Sequence, residues 1–218
     1  MKHILSKGMQ DIFSKEVILF VLKITAISLL TSGVFIWYFW GSIASFITAY
    51  LSWIPWKWLQ TSGANVMTFG VSYMLFIISI SLFTSLYSEK LLILLAKKHY
   101  PLVEVVGYPS ITTSLLLTLK ASMITLFLFM FLFVFLFIPI VGQVVLVYLW
   151  SILLREPTLY DVGTLFISDK KKKKEKRKKT RLLAMIASLF NAIPLLNLFA
   201  AVFAQILFLH HILGKEEN

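Results

Sequence analysis

ASMITLFLFMFLFVFLFIPIVGQVVLVYLWSILLR, residues 121–155, decides how the chain must be read. Residues 121–138 are apolar, and Pro139 and Gly142 then place two helix breakers inside the hydrophobic stretch. The arm beyond them, Gln143 to Leu154, amounts to about 18 Å of helix, against a hydrocarbon core of roughly 30 Å. Lys120 and Arg155 flank the whole and are both expected on the cytoplasmic side. The economical structure is a helical hairpin that enters from the cytoplasm, turns within the membrane at Pro139 and Gly142, and leaves on the same side. Residues 182–213 repeat the device: Leu182 to Ile193 is again about 18 Å long, Pro194 interrupts it, and residues 195–213 return towards Lys215, Glu216 and Glu217.

Between the hairpins lies DKKKKKEKRKKTR, residues 169–181, with Lys170, Lys171, Lys172, Lys173, Lys174, Lys176, Arg177, Lys178, Lys179 and Arg181. A block of cations between long apolar segments marks a cytoplasmic loop by the positive-inside rule. Its simplest role is that of a solvated topology anchor; gripping anionic lipid headgroups is the specific alternative. The net charge of +11 sits in such short loops, so it reports orientation and contact with anionic lipid and does not indicate a nucleic-acid partner. With 59% hydrophobic and 14% charged residues among 218, the chain is too apolar for a soluble domain. It contains no cysteine, which excludes disulfides and thiolate chemistry.

Residues 1–16 mix Lys2, Lys7, Lys15, Asp11 and Glu16 with an apolar stripe of Ile4, Leu5, Met9, Ile12 and Phe13, the pattern of a helix lying on the cytoplasmic surface. A first span over 17–40 comes next. It is longer than a signal-peptide core and has no small-x-small cleavage site, so it reads as retained. Lys23 near its start either snorkels to the headgroups or serves as a functional charge. Trp37, Trp40, Trp53, Trp56 and Trp58 form an interfacial aromatic belt around an outer loop whose single cation is Lys57. A second span over 65–87, with Ser72, Ser79, Ser81, Thr84 and Ser85 to favour close helix packing, returns the chain to Glu89, Lys90, Lys97, Lys98 and His99.

The expected fold is therefore a single all-α integral membrane domain over 1–218. It has an interfacial helix (1–16), two transmembrane helices (17–40, 65–87), two Pro-tipped half-membrane hairpins (121–154, 182–213) and a basic cytoplasmic loop (169–181). Both termini are expected in the cytoplasm. Broken helices expose backbone groups unless protein or a wet cavity covers them, which favours assembly or transport over a simple anchor.

No phosphate loop, H-E-x-x-H or G-x-S-x-G motif is present, so no nucleotide-driven, zinc-hydrolase or serine-nucleophile chemistry is expected, and no cofactor or metal. Adjacent His210 and His211 point to different parts of a helix surface, which argues against a shared metal and for an interfacial pair near the cytoplasmic exit. Asn197, three residues after Pro194, could cap the returning helix. Alternatively, Asn197 and Gln143 could add donors where helix N-termini at the tips meet a passing anion.

IPIVGQVVLVYLWSILLREPTLYD, residues 138–161, resembles the proline-glycine turn and arginine-glutamate exit of CysZ-type sulfate permeases, and FNAIPLLNLFAAVFAQILFLHHIL, residues 190–213, is similar to their closing P-x-x-N hairpin. The eukaryotic etoposide-induced membrane proteins belong to the same superfamily. The resemblance implies two transmembrane helices, two pairs of half-membrane helices, and a homo-oligomer that passes sulfate into the bacterial cytoplasm through the inner membrane. Where that family carries a Gly-Leu-Arg element, this chain reads Phe13-Ser14-Lys15-Glu16, leaving Ser14 and Lys15 as the expected oxyanion contacts there. The expected function is a non-enzymatic permease for a small oxyanion, sulfate first; the alternative is a membrane scaffold or lipid-organising protein. A connected polar set at the hairpin tips would favour the former, and tips packed by Phe and Leu with Lys15 facing water the latter.

Overall fold

The computed structural model describes residues 2–193 and 195–214, with all side chains among them except those of Leu59, Lys170, Lys173 and Lys178. The described residues form helices α1 (Lys2–Ile12), α2 (Lys15–Tyr50), α3 (Lys57–Tyr87), α4 (Glu89–His99), α5 (Ile111–Leu132), α6 (Val141–Phe166), α7 (Lys170–Lys176), α8 (Thr180–Ser188) and α9 (Ala200–Leu213), with short 3-10 turns between some of them. This is an all-α integral membrane protein. Four stretches have the length and hydropathy to cross a bilayer: Lys15–Tyr50, Gln60–Tyr87, Ile111–Phe137 and Leu196–Leu213.

Helix α9 explains the layout. AAVFAQILFLHHIL is apolar almost all round, and such a helix must be covered on every side. Ala200 to Ile212 are all buried, packed by α1, α3, α4, α6 and α8. Helices α2 and α3 pair with each other, α5 pairs with α6, and the outer faces of α2 and α5 keep Leu22, Leu30, Trp37, Met123 and Phe127 exposed, as lipid-facing helices do. Hydroxyls inside the bundle mostly satisfy themselves on their own helix. Ser32 donates to the Ser28 carbonyl (2.6 Å), Thr68 to Ala64 (2.7 Å) and Ser122 to Thr118 (2.8 Å), so these small residues pack closely without stranding a donor.

Both expected hairpins turn back where prolines stand. A 3-10 turn, Phe133–Phe137, leads into extended Ile138; Ile140 then takes φ 70° and ψ −52°, and the Val141 N–H donates to the Pro139 carbonyl at 2.8 Å, closing a γ-turn. The Gly142 N–H donates to Ile138 (2.9 Å). The second tip repeats this. The 3-10 turn Leu189–Ala192 leads to extended Ile193, Leu195 has φ 70°, and the Asn197 N–H donates to Ile193 at 3.1 Å. Pro194 itself lies outside the described residues. The two corners share an extended isoleucine (Ile138, Ile193), a positive φ two residues on (Ile140, Leu195) and a hydrogen bond from the fourth residue on back to that isoleucine. A side chain at positive φ costs about 1–3 kcal/mol.

Several boundaries differ from expectation. The first helix does not stop near residue 40 but runs to Tyr50, and the second begins at Lys57, not 65, because the uncharged, largely apolar stretch continues past Trp40 and is broken only near Pro55. The arm after the first tip is not confined to 143–154: α6 continues through Arg155 and even Pro157 to Phe166. At 26 residues it is about 39 Å long, and only its first half is apolar. Arm length alone therefore does not make this hairpin half-membrane. Nor is the basic segment a plain loop. It is α7 followed by a 3-10 turn, Arg177–Lys179, since Lys and Arg are good helix formers and Asp169 accepts the Lys171 N–H at 2.8 Å in the first turn. Finally, α1 is not merely interfacial: Gly8, Asp11 and Ile12 are buried, and a Cβ on Gly8 would meet Leu207 of α9 at 2.8 Å.

Candidate functional site at the charged end of the bundle

The ends of α1, α4 and α9 meet around one buried carboxylate. Asp11 stands on the same helical face as Gly8 and Ile12 and is fully buried. Its Oδ1 accepts from Lys98 Nζ (3.1 Å) and His99 Nε2 (2.8 Å), its Oδ2 from His210 Nε2 (2.9 Å), and the Tyr100 hydroxyl meets His210 Nδ1 at 3.1 Å. The Lys7 ammonium lies 4.8 Å above the Tyr100 ring, a cation–π contact. Burial alone would push the Asp11 carboxyl up, but hydrogen bonds from His210, His99 and Lys98, with the His99 charge, hold it well below the usual carboxylate range. A depressed carboxylate contributes its stability above the ordinary value of about 3.9 and loses it as pH falls through the lower folded value, so mild acid leaves Asp11 ionised. Burial, then the Asp11 charge, raises the Tyr100 phenol, which stays a neutral partner.

Two cavities adjoin this end. One of about 280 Å³ lies between α2, α3 and α4, and Lys23, Lys90, Tyr87 and Glu89 line it. Phe20, Ile24 and Leu86 complete a largely apolar lining, and Lys23 and Lys90 give the groove two cationic residues against the single acidic Glu89. The other, about 80 Å³, is lined by Ser85, Ser88, Glu89, Ser114 and Asp161. There Ser85 and Ser114 both donate to the buried Asp161 carboxylate. The Ser88 hydroxyl is buried without a hydrogen-bond partner. This cavity is acidic and repels an oxyanion. Glu89 borders both.

The residues singled out from the sequence are not brought together. Ser14 is the N-cap of α2, its Oγ accepting from the Val17 N–H at 3.4 Å, so its hydroxyl serves the helix. Lys15 and Glu16 are exposed in the next turn. Gln143 is exposed beside the first tip, near the opposite end of α2, where the Tyr50 hydroxyl donates to Met130. Asn197 does not cap α9. Its Nδ2 donates to the Tyr73 hydroxyl of α3 at 2.9 Å and ties the second tip to the bundle. In the basic run, Lys171, Lys172, Lys174, Lys179 and Arg181 are exposed; Arg177 binds Glu156 at 2.8 Å and Arg155 Nε reaches Thr180 at 3.3 Å, so the arginine-glutamate exit of α6 holds this segment in place. His210 and His211 do point apart, as adjacency requires, but both are buried; His211 Nε2 donates to the Lys176 carbonyl at 3.0 Å. The sequence reading missed the union of Asp11, His99 and His210. Its one local signal was a carboxylate placed on the apolar stripe of α1.

Four helices of membrane-crossing length and apolarity and two corners with positive φ at Ile140 and Leu195 define an all-helical integral membrane protein. The chain belongs to the family described as sulfate transporter CysZ/etoposide-induced protein 2.4, whose model matches residues 4–201. No curated protein and no solved structure matches it. The family is one of sulfate-transporter-like membrane proteins.

Proposed function

We propose that the chain is a permease for a small oxyanion, sulfate first, working as a homo-oligomer in a bacterial inner membrane. Both termini and the basic segment face the cytoplasm, where exposed lysines of α7 also meet anionic lipid. The family match over residues 4–201 carries this reading. The Lys23–Lys90 groove supports it as the place where an oxyanion first meets positive charge. Lys15, exposed two turns earlier on the same helix, adds to the attracting field without being the central contact.

The test is radiolabelled sulfate uptake into proteoliposomes containing only this protein. Uptake well above that of empty vesicles is expected. Lys23→Gln with Lys90→Gln should lower it about tenfold at sub-saturating sulfate, the loss of roughly 1.5 kcal/mol from a charged hydrogen bond. Uptake no greater than in empty vesicles would overturn the permease reading. The scaffold reading then takes its place. Exposed Lys15 and a first tip that shows Ile138, Ile140, Val141 and Val144 to its surroundings favour that second reading.

Orientation and tip depth have their own test in this cysteine-free chain. With an impermeant external thiol reagent, Lys57→Cys should label and Glu175→Cys should not. Val141→Cys and Ile193→Cys should resist labelling if the tips turn back inside the bilayer. Free labelling at both tips would make them ordinary outer loops.

A further inference from the structure

We propose that Asp11, His99 and His210 form a binding site for one divalent transition-metal ion of the zinc class, placed where the first helix meets α4 and α9. The carboxylate and the two imidazoles each offer one ligand atom, and these atoms all lie within 4.8 Å of one another. Around tetrahedral zinc, with bonds of about 2.0–2.1 Å, neighbouring ligands stand about 3.4 Å apart. The contacts of 2.8 Å from His99 to Oδ1 and 2.9 Å from His210 to Oδ2 would open by about half an ångström, and any pair near the 4.8 Å limit would close by about 1.4 Å, as one carboxylate oxygen and the two imidazoles gather round an ion. Three elements supply one ligand each, so the site exists only in the folded chain.

Its surroundings fit. Both imidazoles turn the same nitrogen, Nε2, to the carboxylate. His210 has its other nitrogen engaged by the Tyr100 hydroxyl, the outer hydrogen bond that fixes a ligating imidazole's tautomer and orientation. Asp11 and His210 are buried, and the His99 side chain keeps 15% of its exposure, which leaves a way in from one side. Lys98 is the opposing element. Its ammonium is the present counter-ion of Asp11, but the side chain is 51% exposed and can withdraw into water when an ion enters. With nitrogen and oxygen donors and no thiolate anywhere in the chain, the set selects zinc, cobalt, nickel or copper over magnesium or calcium. A bound ion would pin α1 to α9 through α4.

The test uses the full chain in detergent, purified by an affinity tag without histidines and stripped with EDTA. Co2+ is titrated while its visible ligand-field bands are recorded, and Zn2+ is then added to displace it. One equivalent of Co2+ with the intense bands of a low-coordinate site, displaced by Zn2+ and not by Mg2+, is the expected result, along with a rise in the thermal midpoint on adding Zn2+. His99→Gln should weaken binding at least tenfold, while His211→Gln and His3→Gln should leave it unchanged. Two results would overturn the site: weak bands of an octahedral aquo ion, or the same affinity in His99→Gln as in the parent. If His99→Gln does not fold, the parent's band intensity and stoichiometry decide. Since the readout is binding, sulfate transport can fail without touching this outcome.

Discussion

Replacing Asp11 by leucine should lower the free energy of unfolding by about 3 kcal/mol, the scale for removing one member of a buried ionic network. Leucine would strand the Nε2 of His210, itself 1% exposed, against an apolar face, and would take from Lys98 and His99 the acceptor that orients them. Asp11→Asn keeps the shape and one acceptor and should cost about half as much. Gln10→Leu, one residue away on the exposed face of α1, should be near neutral. Thermal unfolding in detergent measures all three. An Asp11→Leu midpoint no lower than that of Gln10→Leu would mean that the carboxylate holds nothing together.

The second large effect is expected at the first corner. A Cβ on Gly142 would stand 2.6 Å from the Leu136 carbonyl oxygen and 2.9 Å from its Cα, which are backbone atoms that cannot swing aside. The corner is also tied by the Gly142 N–H to Ile138 and by the ring of Pro139. Gly142→Val should therefore destabilise by about 3 kcal/mol, at the upper end of what overpacking costs. Gly33→Val and Gly41→Val, where nothing lies within 4 Å of the added carbon, should change the midpoint little. Equal melting of all three variants would show that the corner opens freely.

The features legible in the sequence were local. Apolar run lengths, the prolines at 139 and 194 and the lysine block are neighbours along the chain, and they sufficed for an all-helical membrane protein with two hairpin corners. Helix ends were harder. Phe166 lies well past the apolar boundary at Leu154, because hydropathy marks where lipid ends and not where backbone hydrogen bonding ends, and Tyr50 ends a stretch that stays uncharged beyond the Trp40 at which the span was closed. The charged end was illegible for another reason. Lys98 and Asp11 are 87 positions apart, His99 and Asp11 88, and His210 and Asp11 199, so no window of sequence holds them together. Lys23 could be marked as snorkelling or functional, but its convergence with Lys90 depends on how α2 meets α4. Asn197 was read from its distance to a proline, whereas its partner Tyr73 lies 124 positions away.

The bond between Asp11 and His210 also sets a clock on biosynthesis. At roughly 5–20 residues per second, the ribosome needs on the order of 10–40 s after making Asp11 to deliver the histidine 199 positions later. For all of that time Asp11 is without its deepest partner. Locking of the N-terminal helix is postponed until α9 emerges. A nascent protein cut short before His210 would keep its N-terminal segment loose and open to proteases. In this protein the first helix gains its deepest polar partner only from the last helix described.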